Sequence, residues 1–134
     1  MPVPILIDKV AWVRVENGKV LTARSHGRTR YYLPGGKREG AESDSQTLSR
    51  EVREELSVEL ILGTAHYLGA FEAQADAKPP GVHVRIRCYE CEYRGTLAPA
   101  AEIAEIAWLG YSGKLKTSAV DHLVFDWLHK RGRL

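Results

Sequence analysis

Residues 50–56, Arg-Glu-Val-Arg-Glu-Glu-Leu, place the carboxylates of Glu51, Glu54 and Glu55 within one short stretch. At about 100° per residue a helix would carry all three on one face, with Glu54 near −60° and Glu55 near +40° of Glu51. Like charges spaced three and four apart repel on a helix, and its last turns favour cations over anions. A solvated charged face, shared with Arg50 and Arg53, is the plain account of such a run, because exposed ion pairs cost little. Two neighbours point to chemistry instead. Glu42 adds a carboxylate where the helix begins, and Pro34-Gly35-Gly36 lies just upstream. Paired glycines let backbone approach a ligand closely. Clustered hard oxygen donors suit Mg²⁺ or Mn²⁺, which also take substrate phosphates, and a divalent cation would remove the repulsion.

The elements that must position these groups can be read around them. Residues 5–15 alternate loosely and are rich in Val, Ile and Trp, and Asn17-Gly18 then gives the strongest short hairpin signal. Residues 20–23 form the return strand. The polar, basic stretch 25–30 leads to Tyr31-Tyr32-Leu33, which the proline and glycines end. Ser43 and Gln46 fit a capping box, Asp44 suits the positive helix end, and the helix spans residues 44–56 with Leu48, Val52 and Leu56 as its apolar stripe. Residues 58–73 read as one or two strands broken near Gly63. Residues 75–81 (ADAKPPG) have the composition of a mobile loop. Residues 82–93 and 103–109 read as strands, with a turn at Gly95. A final helix follows a possible capping box at Ser118 and Asp121, and Val120, Leu123, Val124, Trp127 and Leu128 give it one buried face. Strands with helices at two places predict a mixed sheet covered on both faces, an α/β fold.

With 134 residues, the chain is long enough for one core, and residues 1–134 read as a single domain. The net charge of +2 does not call for a polyanionic partner, and no basic aromatic stripe marks a nucleic-acid module. No apolar run approaches the roughly 20 residues of a membrane helix. The stretch MPVPILIDKV lacks a basic n-region and a small-residue cleavage site, so the expectation is a cytoplasmic protein. Cys88-Tyr-Glu-Cys91 spells a CxxC, but positions three apart on a strand face opposite ways, and no second cysteine pair completes a zinc site.

Gly36, five residues, Glu42, seven residues and then Arg50-Glu51-Val52-Arg53-Glu54-Glu55-Leu56-Ser57-Val58 resemble the Nudix box, Gx5Ex7REUxEExGU. The chain is similar to the Nudix (MutT-like) hydrolases over this box, and the flanking elements suit that family's α/β/α sandwich. Ser57 stands where the box has its second glycine, which turns the chain out of the helix. The resemblance implies hydrolysis of a nucleoside diphosphate linked to another group. It implies that Glu51, Glu54 and Glu55 hold Mg²⁺, with Mn²⁺ as a substitute, and that a backbone carbonyl at Gly36 joins them. It further implies that Arg50 orients the glutamates by salt bridging and that Glu42 supports the site. In MutT-like relatives a glutamate on a loop before a late tryptophan acts as base. Here Glu102 and Glu105 precede Trp108; Glu102 is the preferred candidate, and Glu51 competes with both.

Phosphate must be held as well as cleaved. Arg24, Arg28, Arg30, Lys37 and Arg38 flank the glycine turn, and Arg85 and Arg87 share one face of a later strand with His83. Arginine forks match phosphate oxygens. Arg24, Arg30, Lys37 and Arg85 are the expected substrate contacts, and Tyr32 or Phe71 could stack a base, although core packing competes for each. The PGGK form at 34–37 resembles MutT-like triphosphate pyrophosphatases. It favours a nucleoside triphosphate yielding monophosphate and pyrophosphate. ADP-ribose, other nucleotide sugars, dinucleotides and a non-catalytic nucleotide sensor stay open, because fold analogy does not settle function. The expected partner is a small nucleotide, not a nucleic-acid polymer or a membrane, and the protein is expected to be a monomer or homodimer.

Overall fold

The computed structural model describes residues 4–134. The first three residues of the expected domain, and of the N-terminal stretch read for a leader, lie outside them. Asn17 and Gly18 take φ values of 53° and 71°, the left-handed pair that a two-residue type I′ turn requires. They join β2 (Val15–Glu16) to β3 (Lys19–Ser25). The expected strand over residues 5–15 is therefore two elements. β1 (Ile5–Trp12) belongs to a different sheet from β2, so the chain changes sheets at Val13 and Arg14.

β1 runs between β4 (Gly35–Lys37) and β7 (Val82–Glu90), antiparallel to the first and parallel to the second. β6 (His66–Gln74) completes this four-stranded mixed sheet on the far side of β7. A second sheet pairs β2, β3 and β9 (Ile103–Leu109). The expected break near Gly63 is a short 3-10 helix over Leu62–Thr64 between β5 (Glu59–Leu60) and β6. The strand expected over residues 82–93 ends at Glu90, and β8 (Tyr93–Arg94) turns away to pair with β5.

Two helices cover opposite faces, and the alternation of β1 shows why. Val10 and Trp12 point to one side and pack with Leu48, Val52 and Leu56 of α1 (Asp44–Leu56). Ala11 and Val13 point to the other side, with Val84, Ile86 and Cys88 and with Val120, Val124, Phe125 and Leu128 of α2 (Ala119–Lys130). The result is a mixed α/β sandwich. Each fully buried aliphatic or aromatic side chain contributes about 1.5–3 kcal/mol. The indole N–H of Trp12 stays satisfied by donating to the Cys91 carbonyl at 3.0 Å. The CxxC splits between the two cores: Cys88 is buried on the α2 side and Cys91 on the α1 side, both as free thiols.

One expected cap does not form. Ser118 precedes α2 but makes no capping hydrogen bond; its hydroxyl donates to Asp121 Oδ2 at 3.1 Å. The loop at 75–81 is hydrogen-bonded back to the end of β6. Gln74 Nε2 donates to Pro79 O at 2.8 Å, and Ala75 is buried. Among the described residues no helix is long and apolar enough to cross a membrane.

Candidate metal and phosphate site

α1 carries the acidic run, and both of its ends are built by local chemistry. Ser43 and Gln46 form the expected capping box, with Gln46 N donating to Ser43 Oγ at 3.1 Å and Ser43 N to Gln46 Oε1 at 2.8 Å. At the other end Ser57 adopts φ 66° and ψ 20°, a left-handed cap, and its N–H donates to Arg53 O at 3.1 Å. This conformation is cheapest for glycine. The Ser57 hydroxyl compensates by donating to Ala98 O at 3.1 Å.

Around the helix the three glutamates differ in depth, as their angles dictate. Glu55 lies next to the apolar stripe and is 8% exposed. The Glu51 side chain, one step further round, is 15% exposed. That of Glu54, on the outward side, is 54% exposed and 3.8 Å from Arg50 Nη1. Glu51 and Glu55 reach the cleft past β4, where Gly36 leaves room for Glu51 and Gly35 for the backbone of β1. A Cβ on Gly36 would lie 2.4 Å from Glu51 Cδ, and one on Gly35 would lie 2.0 Å from Val10 O. The Gly35 N–H donates to Glu55 Oε1 at 3.0 Å.

The third carboxylate arrives from another element. The loop before β9 is tied to the end of α1, with Ala98 N donating to Leu56 O at 3.0 Å and Ala100 N to Glu55 O at 2.9 Å. These bonds satisfy helix carbonyls that would otherwise lack partners. Two residues on, His26 N holds Glu102 O at 2.8 Å. Carboxylate oxygens of Glu51, Glu55 and Glu102 then lie within 4.8 Å of one another. Glu54 is not among the three. Glu105 lies apart, its carboxylate taken by Arg24 Nε at 2.8 Å and by the Tyr31 hydroxyl.

Burial, with the nearby carboxylates, pushes the Glu55 carboxyl up to about 8. Burial also raises Glu51, against the lowering effect of Arg50. Three hard oxygen donors that repel one another in a half-closed cleft suit a divalent cation, which would reverse the cost of holding them ionised. Arg50 organises the surroundings. Its Nε and Nη2 fork onto the two Glu42 oxygens at 2.9 Å each, Nη1 holds Glu51 Oε1 at 2.8 Å, and Nη2 reaches Lys37 O at 3.1 Å. The Arg50 fork, with the Glu39 amide, holds the Glu42 carboxyl down at about 2.

The carboxylates open onto a cleft of about 610 Å³ that extends to the N-terminus of α2. Of the residues expected to touch substrate, Lys37 and Tyr32 line it. The Tyr32 hydroxyl donates to Asp76 Oδ2 at 2.5 Å. Phe71 packs edge-on to Trp127 in the core. Arg24, Arg30 and Arg85 do not line the cleft. Arg24 pairs with Glu105. Arg30 donates to Thr117 O at 2.9 Å and sits 3.2 Å from Asp76. Arg85 projects from the face of β7 opposite Val84 and Ile86, where it meets Asp8 at 3.6 Å. Strand alternation sends Val84 and Ile86, not the arginines, to the cleft side.

Lys9, His26, Arg28 and Asp121 also line the cleft. Asp121 is 3% exposed, and burial pushes its carboxyl up to about 7. A lysine between Ile7 and Ala11 on one strand face was the available signal for the first; Asp121 was absorbed into the expected cap.

The Nudix domain model matches residues 7–123. The chain belongs to the Nudix family. Its fold matches the MutT protein from Methanosarcina mazei Go1, with a TM-score of 0.77, 20% identity and 100% of both chains covered. The E. coli ORF135 protein matches with a TM-score of 0.68 and 26% identity, over 98% of this chain and 96% of that one. A UDP-X diphosphatase matches with a TM-score of 0.66 and 16% identity, over 100% of this chain and 66% of that one. No curated protein matches the sequence significantly. Family membership makes the protein a Nudix hydrolase, a pyrophosphohydrolase of phosphorus-containing anhydrides on small molecules, and that family generally uses a divalent metal.

Proposed function

We propose that this Nudix hydrolase cleaves the phosphoanhydride of a nucleoside triphosphate, giving the monophosphate and pyrophosphate, with Mg²⁺ as the working ion and Mn²⁺ as a substitute. The observation that carries the reading is the convergence of Glu51, Glu55 and Glu102 oxygens within 4.8 Å at the mouth of a cleft. Glu51 and Glu55 would hold the ion, Glu54 would join them from the rim, and the Gly36 carbonyl would complete the shell. When bound, the ion offsets the charge that builds on phosphate oxygens and on the attacking water.

The chain's own groups do the rest. Arg50 fixes the Glu51 carboxylate and anchors Glu42 beneath it. Glu102, on its tethered loop, takes the proton of the attacking water; Glu51 is the competing base. Lys37 faces the phosphates, and Tyr32 offers an aromatic surface to the base. The reading takes residues 1–134 as one domain in the cytoplasm.

A second reading, cleavage of a nucleotide sugar, is favoured by the likeness to a UDP-X diphosphatase. A panel of nucleoside triphosphates, ADP-ribose and UDP-sugars with Mg²⁺, scored by released phosphate products, separates the two. Turnover confined to nucleotide sugars would replace the first reading with the second, and no turnover on any member would leave a nucleotide sensor.

A further inference from the structure

β1 and β4 are antiparallel, and Lys9 stands directly opposite Lys37. Residues so paired send their side chains to the same face with Cβ atoms about 4.5–5.5 Å apart, and like charges there are destabilising. Both lysines line the cleft.

Lys9 is not an ordinary surface lysine. On its own face it is flanked along β1 by Ile7 and Ala11, and its parallel partner on β7 is Ile86, which is 4% exposed. The ammonium therefore rises from an apolar floor. No described residue gives it a hydrogen bond or an ion pair. Burial lowers its pKa, while Asp121, Lys37, Glu55 and Glu51 act on it only through space. Asp121 acts on it most strongly of these charges, yet it makes no ion pair with Lys9, and its carboxylate accepts from the Ser118 hydroxyl and the Leu33 backbone. A half-buried ammonium beside a second ammonium, with no partner of its own, costs stability unless an anion is present.

The anion must reach two cations side by side and also approach the carboxylate cluster, which repels it unless a cation intervenes. A single carboxylate or monoester offers one anionic centre. A diphosphate offers two, linked through one bridging oxygen, and each can meet one ammonium. We infer that Lys9 and Lys37 form a two-point clamp for the diphosphate group of the substrate, with Lys9 gripping it from the cleft floor. The inference rests on the reading that the cleft holds a phosphoanhydride, and it assigns a binding role to Lys9, which lines the same cleft as Glu51 and Glu55 but from the face of β1 that carries Ala11.

The test is titration calorimetry with inorganic pyrophosphate and with orthophosphate, in EDTA and in Mg²⁺, on the wild type, Lys9→Met, Lys9→Arg and Lys37→Met. Pyrophosphate affinity is expected to fall tenfold or more in either Met variant, while orthophosphate, which engages one ammonium, changes about threefold or less. Lys9→Arg retains part of the affinity. Without phosphate, Lys9→Met melts at or above the wild-type temperature, because a desolvated charge is gone. A folded Lys9→Met protein with wild-type pyrophosphate affinity overturns the clamp; if its melting temperature also drops, Lys9 is the counterion of Asp121. Should Lys9→Met fold poorly, Lys37→Met, at an exposed position, carries the same test, and unchanged pyrophosphate affinity there removes the clamp. Loss of pyrophosphate binding in a protein that hydrolyses nothing overturns the hydrolase reading alone. Hydrolysis with lysine-independent binding overturns the clamp alone.

Discussion

The amide of Ala100 donates to the carbonyl of Glu55 at 2.9 Å, so the loop that carries Glu102 hangs from the end of the helix that carries Glu51 and Glu55. Two parts of the carboxylate cluster, distant in sequence, thus share one backbone joint. Replacing Glu102 by Gln is expected to lower kcat by about 10²-fold or more, the usual effect of losing a general base, with little change in melting temperature. Glu105→Gln instead removes the negative charge from the contact with Arg24 and Tyr31 and acts mainly on stability. Steady-state kinetics on both variants decide the matter: the reverse order would move the base to Glu105, and no loss of rate in either would move it to Glu51.

The two glycines of β4 fail in different ways when substituted. In Gly36→Ala the new methyl group strikes the Glu51 carboxyl group, which can swing aside. The fold should survive within about 1 kcal/mol while divalent-metal affinity drops tenfold or more, as for other groups that orient a metal ligand. Gly35→Ala meets the backbone at Val10, at a φ of 145°, and nothing there can yield. Expression yield and thermal melting should show a loss on the order of 3 kcal/mol or more. Equal effects from the two substitutions would contradict this division.

Glu55 should oppose folding where it serves the site. Its folded pKa of about 8 lies above the ordinary value of 4.5. The folded state therefore holds the proton more tightly, and metal-free stability falls as pH rises from about 4.5 to 8. By linkage the loss is on the order of 3–5 kcal/mol. Glu55→Gln should flatten this pH dependence and melt higher than wild type in EDTA at pH 8.5. It should also lose the stabilisation that saturating Mg²⁺ gives the wild type, about 2.7 kcal/mol at one hundred times Kd. Melting curves from pH 4 to 9, with and without Mg²⁺, test both halves. A less stable Gln variant in EDTA would refute the assignment.

Ser57 can be separated from its hydroxyl. Ser57→Ala and Ser57→Gly both lose the bond to Ala98, but only glycine is at ease in the left-handed conformation. The glycine variant should exceed the alanine variant by about 1 kcal/mol, a difference of about 3–5 °C in melting temperature for a chain of this size. Indistinguishable variants would mean that the conformation carries no strain.

Much of this was legible in the sequence because local rules had one answer. The helix at 44–56, its capping box, the Asn17-Gly18 turn and the glutamate ladder depend on residues within a turn or two of each other. Strand partners were not legible. Nothing near Lys9 says that Lys37 will lie opposite it, and Arg85 drew attention by its type although its strand face looks away from the cleft. Arg24 and Glu105, each read as part of the chemistry, turn out to occupy one another. Asp121 fitted a helix cap by spacing, but burial gave it a place at the cleft instead.

The parallel pairing of β1 with β7 has a consequence for how the protein comes into being. β1 joins residues 5–12 to residues 82–89, and until those exist its one neighbour in the sheet among the described residues is the three-residue β4. The cleft floor is therefore a non-local contact, of the kind that slows folding and leaves apolar strands exposed in the meantime. On a ribosome, α1 and its glutamates would emerge well before the strand that completes their sheet, so metal affinity should be a late acquisition of the nascent chain.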